Sequence, residues 1–204
     1  MKRNRKALVG LILCGGQSSR MGQDKGLMKT DGELWAKRLE MLLAKEGISE
    51  VFFSVGSHNY AAYAEHFPTH QLVLDQAFSN IPTPLIGILS TYAQLKKQRM
   101  SKDLLVLACD LQQVDSAVLH QLFQAYSNYP AYPIHLLADD AYEQPLAGIY
   151  TTEGLAQLHF ETQKINEKSD SLRSMVKRIH AQVIKLPLAM QSKLKNFNAP
   201  EDLE

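Results

Sequence analysis

The residues best suited to chemistry sit in one short stretch, Cys14-Gly15-Gly16-Gln17-Ser18-Ser19-Arg20-Met21-Gly22-Gln23-Asp24-Lys25-Gly26. Paired glycines let backbone N–H groups approach an anion closely because no Cβ intervenes. Arg20 adds a planar fork for phosphate oxygens and Lys25 a mobile point charge. Together they read as a triphosphate cradle; the competing reading is a flexible turn with a solvated arginine and lysine. Spacing excludes the two better-known phosphate loops. Walker A needs Gly-Lys-Ser/Thr four residues after its first glycine, and the dinucleotide loop needs spaced glycines followed by an acid closing a second strand. A second chemical residue, Asp110, ends the run Leu104-Leu105-Val106-Leu107-Ala108-Cys109-Asp110. A carboxylate at the end of a strand suits a hard cation, and Mg²⁺ is commonly held by one or two carboxylates with substrate phosphates and water. Asp110 is therefore the expected metal ligand. A helix cap would explain it too, but Asp115 and Ser116 are better placed to cap the next helix.

Those residues need elements to position them. Short β-rich apolar runs recur at 7–14, 50–55, 71–74, 103–108 and 133–137. Helical patterns fall at 33–45, 85–97, 116–126, 152–161 and 172–178. The alternation, with strands apolar throughout, predicts an α/β fold: a three-layer α/β/α sandwich around a mostly parallel, Rossmann-like sheet with helices on both faces. Ligands of such sheets bind beyond the carboxyl ends of the strands where strand order reverses. The expected site residues are then Cys14-Gly15-Gly16, Ser54, Asp75 and Asp110. Pro84 fits the first turn of a helix whose free N–H groups would meet an anion or a base edge. Asn196 and Asn198 read as alternating positions of an extended pair with Phe197 turned to the core; an Asx turn before Pro200 is the alternative.

Composition bounds what else the chain can be. With 204 residues, 45% of them hydrophobic, and no linker-like stretch, residues 1–204 are expected to form one domain. Lys and Arg total 22 against 21 Asp and Glu, so no global field recruits nucleic acid or an anionic membrane. No apolar run reaches the roughly 20 residues a bilayer requires. Two cysteines make no disulfide framework, so a cytoplasmic location is expected. Cys14 and Cys109, both at strand ends, read as small buried hydrophobes rather than a metal site. No histidine pair has HExxH spacing and no G-x-S-x-G elbow is present, which weakens hydrolase readings.

The stretch from Leu13 to Lys25 resembles the nucleotidyltransferase signature L-x-G-G-x-S-x-R-M-G-x-D-K. More narrowly, the chain is similar to molybdenum cofactor guanylyltransferases, through Asp75, Pro84-Leu85-Ile86-Gly87, Cys109-Asp110 and the closing Asn196-Phe197-Asn198-Ala199-Pro200-Glu201-Asp202-Leu203. The resemblance implies the nucleotide-diphospho-sugar transferase type of fold. It implies transfer of GMP from GTP to the phosphate of molybdopterin, with Mg²⁺ bound and pyrophosphate released. By this resemblance Arg20, Lys25 and Asp110 are catalytic. Leu13, Cys14 (through its backbone), Gly15, Gly16, Lys25, Asp75 and Asp110 bind nucleotide, and Gly87, Asn196 and Asn198 approach the acceptor. Glu143-Gln144-Pro145-Leu146-Ala147-Gly148-Ile149-Tyr150 resembles the family's acceptor-facing strand. Cofactor-biosynthesis proteins and molybdoenzyme chaperones are the transient partners it implies. Two competing functions remain open: a cytidylyltransferase acting on the pterin or on a sugar or polyol phosphate, and a nucleotide-binding regulatory module that has lost catalysis. The second is suggested by Ser54, Thr83 and the Gln112-Gln113 turn, which depart from the family's pattern.

Overall fold

The computed structural model describes residues 8–15, 24–76, 83–164 and 171–197. In chain order these form β1 (Leu8–Leu13), β2 (Lys29–Thr30), β3 (Glu33–Leu34), α1 (Trp35–Lys45), β4 (Val51–Val55), α2 (Tyr60–Ala64), β5 (Leu72–Leu74) and α3 (Thr83–Lys97). There follow β6 (Asp103–Ala108), α4 (Ser116–Asn128), β7 (Ile134–Ala138), β8 (Glu143–Tyr150), α5 (Thr152–Thr162), α6 (Leu172–Arg178), β9 (Gln182–Lys185) and α7 (Leu188–Gln191). Seven of the described strands make one sheet in the order β5-β4-β1-β6-β8-β7-β9. All run the same way except β8, which is antiparallel to both neighbours.

The sheet is covered on both faces, so its central strands are apolar without alternation. Every residue of β1 is buried. Leu8 and Ile12 pack on the side of α1, α2 and α4, through Leu39, Leu43, Tyr63, Leu119 and Phe123. Val9, Leu11 and Leu13 pack on the opposite side against α3, α5 and α6, through Leu85, Ile88, Leu158 and Met175. This is the expected three-layer sandwich. One carboxylate links both helical layers to the sheet: Asp103, at the start of β6, accepts from Tyr126 Oη of α4 (2.6 Å) and from the Thr152 N–H of α5 (2.7 Å). As expected, Asp115 caps α4 by accepting from the Val118 N–H at 3.0 Å.

Strand order sets where a ligand can lie. From β1 the chain adds β4 and β5 on one side, then crosses to add β6 on the other. The carboxyl ends of β1 and β6 therefore flank the switch point, the usual binding crevice of open α/β sheets.

The helices α2 and α7 were not read from the sequence, α1 begins at Trp35 rather than at Glu33, and three further features depart from that reading. The β2–β3 hairpin turns on Asp31 and Gly32, both at positive φ (54° and 82°), which is the Asp-Gly signature of a two-residue turn. β9 is a four-residue edge strand, too short for its alternation to stand out. Asn196 and Phe197 lie in irregular chain rather than a strand, although Phe197 is buried as expected. No helix among the described residues is long and apolar enough to cross a membrane.

The seam between β7 and α5 is tight. A Cβ on Gly154 would collide with the Pro133 carbonyl oxygen, part of the backbone that cannot rotate away. Gly154→Ala is therefore expected to lower stability by about 1–3 kcal/mol, the usual range for overpacking. Urea unfolding would measure it; an unchanged midpoint would show that the seam yields.

Candidate functional site

At the switch point the parallel ladder continues one residue past the strands. Cys14 N–H donates to the Ser54 carbonyl at 3.0 Å and Cys109 N–H to the Leu13 carbonyl at 3.1 Å. The ends of β4, β1 and β6 are thus held level, and Asp110 follows directly. Opposite it, Lys25 opens a single 3-10 turn, Lys25–Leu27, whose preceding Asp24 accepts from the Gly26 N–H at 3.0 Å. Lys25 Nζ lies 2.8 Å from Asp110 Oδ2, with only 23% and 15% of the two side chains exposed. These residues line a cleft with Leu13, Cys14, Gly15 and Asn196.

One carboxylate oxygen of the pair is not satisfied by it. Asp110 Oδ1 is buried and has no hydrogen-bond partner. A buried carboxylate oxygen without a donor is costly, by about 1–3 kcal/mol or more, and a bound cation would satisfy it. The donor set is one hard oxygen beside a site open to phosphate and water, which fits Mg²⁺ better than a soft metal. Among the described residues no three His, Cys, Asp or Glu side chains converge on a metal position. The other ligands of such an ion would therefore be substrate oxygens and water. The thiols between these residues are free and buried, and the hydrogen bond to Cys14, with burial, pushes the Cys109 thiol well up.

The wall beyond Asp110 is fixed through backbone and core. Phe197 N–H donates to the Asp110 carbonyl at 3.0 Å, and the Phe197 ring is buried against Met28 and Trp35. Trp35 Nε1 in turn donates to Thr30 Oγ1 at 2.8 Å. This seat brings Asn196 to the cleft. Gln112, in the turn that departs from the family's pattern, is buried, and its Nε2 donates to the carbonyls of Cys109 (2.6 Å) and Trp35 (3.3 Å). It pins the turn after Asp110 to the start of α1.

Asp75 occupies a separate corner beside Gly15. Its Oδ1 accepts from Ser54 Oγ at 2.5 Å, and a Cβ on Gly15 would collide with its Oδ2. Burial pushes the Asp75 carboxyl above its ordinary range, opposed by the Ser54 hydrogen bond and the nearby His58. Gly87 lies in α3 with its open side on Ser54 Oγ and Leu13, where a Cβ would collide. That glycine lets α3 pack on β1 and β4, and the structure does not bring it to the wall of the cleft. Arg20, Gly16 and Asn198 lie outside the described residues.

The stretch that the resemblance marked as an acceptor-facing strand is β8; what the sequence did not show is its bulge. Between Leu136 and Leu137 the β7–β8 register shifts, and the bulge holds Pro145 and Leu146. Proline has no N–H to give the ladder, so a bulge is where a strand accepts it. The buried Tyr150 hydroxyl donates to the Pro145 carbonyl at 2.6 Å, and Leu146 reaches the cleft. An in-strand proline is the local signal that could have marked the bulge.

A glycine-bearing strand end, a lysine and a strand-end carboxylate meeting at the switch point of a mostly parallel sheet define a nucleotidyltransferase type of site. Comparison with known proteins agrees. Residues 10–183 match the model of the MobA-like NTP transferase domain, and the chain belongs to that family. A protein of Pseudomonas paraeruginosa named molybdenum cofactor guanylyltransferase is 33% identical over 194 residues, covering 94% of this chain and 90% of that one. A Nostoc protein named probable molybdenum cofactor guanylyltransferase is 30% identical over 199 residues, covering 96% and 88%. The crystal structure of molybdopterin-guanine dinucleotide biosynthesis protein A from Archaeoglobus fulgidus superposes with a TM-score of 0.66 at 20% identity, over 95% of this chain and 94% of that one. The shared fold is the nucleotide-diphospho-sugar transferase fold.

The raised Asp75 carboxyl has a consequence for stability. A folded-state pKa above the unfolded value means that the fold favours the protonated acid. Its contribution is present below the unfolded pKa and is lost as pH rises through the folded one. Asp75→Asn, which still accepts from Ser54, is expected to melt higher than the parent at neutral pH, with the difference shrinking toward acid. Melting curves across that range test it, and a variant less stable at neutral pH would show that the carboxylate is a favourable charge there.

Proposed function

We propose that this chain transfers GMP from GTP to the phosphate of molybdopterin, yielding the guanine dinucleotide form of the cofactor and pyrophosphate, as a Mg²⁺-dependent cytoplasmic enzyme. The observation that carries the reading is the contact of Lys25 with Asp110 at the switch point, with a second oxygen of Asp110 left open. Support for the acceptor comes from the names borne by relatives at 33% and 30% identity over most of their length.

The reaction needs alignment and charge neutralisation more than covalent chemistry. An oxygen of the acceptor phosphate attacks the α-phosphorus, a P–O bond forms, and the bond to the β-phosphate oxygen breaks to release pyrophosphate. Mg²⁺, when bound at Asp110, would neutralise phosphate charge and hold its oxygens in place. Lys25, already at the pocket wall, would move its ammonium from Asp110 toward the phosphates. The Gly15 backbone, free of a Cβ, would let the nucleotide approach closely, and Arg20 and Gly16 would serve the same phosphates. Asn196, seated by Phe197, would orient the acceptor together with Asn198. Asp75 would serve the nucleotide beside Gly15.

Purified protein given Mg²⁺, molybdenum-loaded pterin and each nucleoside triphosphate separately should release pyrophosphate with GTP. Release with CTP instead would replace guanylyl by cytidylyl transfer, and nucleotide binding without release under any condition would point to a regulatory module. Lys25→Ala is expected to cost about 2–4 kcal/mol of transition-state stabilisation, as other lost charge donors do. A change confined to KM would make Lys25 a ground-state binder. Asp110→Ala is expected to abolish turnover while retaining some nucleotide binding, and unimpaired turnover would remove it as the metal ligand.

A further inference from the structure

Asp24 is adjacent to Lys25, but its carboxylate faces away from the cleft and is gripped from the other side. Oδ1 accepts from the Tyr63 hydroxyl at 2.5 Å as well as from the Gly26 N–H at 3.0 Å, and Oδ2 accepts from Asn59 Nδ2 at 2.5 Å. Both donors come from α2: Asn59 precedes its first turn and Tyr63 lies one turn on, with the Tyr63 N–H donating to the Asn59 carbonyl at 3.1 Å. Residues four apart fall on one helix face, so α2 presents the amide and the hydroxyl together.

The helix is itself well seated. Tyr63 is fully buried, its ring stacks on Phe67 at 5.8 Å, and Phe67 lies 4.2 Å from Phe53 of β4. Burial, then the neighbouring thiols and Asp24, push the phenol far above its ordinary range, so it stays a donor at any working pH. The turn fits this grip closely. A Cβ on Gly26 would collide with the Tyr63 hydroxyl and come within 3.1 Å of Cys14 Sγ. The 24–27 turn is therefore clamped between α2 and the end of β1, and Lys25 is the residue of that turn whose side chain reaches Asp110.

We propose that Asn59 and Tyr63 are positioning residues for catalysis, clamping Asp24 so that the Lys25 ammonium is presented at the reacting phosphates. The assignment rests on the guanylyl-transfer reading for its kinetic readout, though not for its structural one. The clamp works by restricting the turn: with Asp24 released, Lys25 keeps its charge but loses its fixed approach. Misplacement of this kind lowers the rate of the chemical step more than it weakens ground-state binding.

Tyr63→Phe removes only the hydroxyl and keeps the buried ring. Asn59→Asp keeps the shape but sets a carboxylate against Asp24. Each is expected to lower kcat about 10- to 100-fold while KM for GTP stays within about twofold. In a Lys25→Ala background Tyr63→Phe should add nothing further, because the two act through one group. Independently of turnover, limiting acetic anhydride should acetylate Lys25 faster in both variants than in the parent, as read by mass spectrometry of the Lys25 peptide. Unchanged kcat and unchanged Lys25 acetylation in both variants would overturn the clamp, as would a Tyr63→Phe loss that persists without Lys25. If the parent itself turns over no GTP, the functional reading fails and the acetylation comparison alone decides the clamp: faster labelling upholds it and equal labelling rejects it.

Discussion

A lysine ammonium held 2.8 Å from a strand-end carboxylate is the contact on which the site is built. Each partner is useless for phosphate chemistry without the other's position. Asp110 alone is a carboxylate that would repel a triphosphate, and Lys25 alone is a surface cation on a short turn. Brought together they form a neutral pair, and under the proposed function a bound nucleotide and cation would divide it, the cation at the carboxylate and the phosphates at the ammonium. Such an exchange would replace one ion pair by two and leave no buried charge uncompensated.

The two partners are held by different means. Asp110 inherits its position from the sheet: its chain is fixed by the β1–β6 ladder and by the Phe197 N–H on its carbonyl. Lys25 belongs to no sheet, and its turn is held by side chains of α2 through Asp24. A rigid carboxylate facing a cation on a clamped turn suits a site in which the metal position must be constant while the ammonium follows the phosphate. Local costs accompany the arrangement. Asp110 Oδ1 and Gln112 Oε1 are buried without hydrogen-bond partners, and burial disfavours the charged form of Asp75. The first two lie in one short turn at the carboxyl end of β6, beside the Lys25–Asp110 pair.

Much of this was legible in the sequence, for physical reasons that also explain the rest. Long apolar runs such as that of β6 report a strand buried on both faces, and from there the strand-end rule leads to Asp110 without any knowledge of tertiary contacts. Helices α4 and α6 began where the sequence placed them, because the patterns of their apolar residues and caps are local. The β2–β3 hairpin was equally local and could have been found from Asp31-Gly32. What could not be read were connections between distant short elements. Asn59 and Tyr63 are 35 and 39 residues from Asp24, on a helix of five residues whose pattern is too brief to register. Gly87 matched a motif, yet its burial against Ser54 depends on where β4 lies relative to α3.

The departures from the family's pattern bear on whether the site is intact. Gln112 stands in the turn that the resemblance marked as unusual, and it could have signalled decay. Instead its amide makes two hydrogen bonds that fix the turn after Asp110 to α1. Gln112 thus stiffens the turn by tying it to a neighbour, and the carboxylate faces the lysine. Ser54 gives its hydroxyl to Asp75 and allows α3 to pack close through Gly87. Both residues therefore make hydrogen bonds within the structure, and neither disturbs the approach of Lys25 to Asp110.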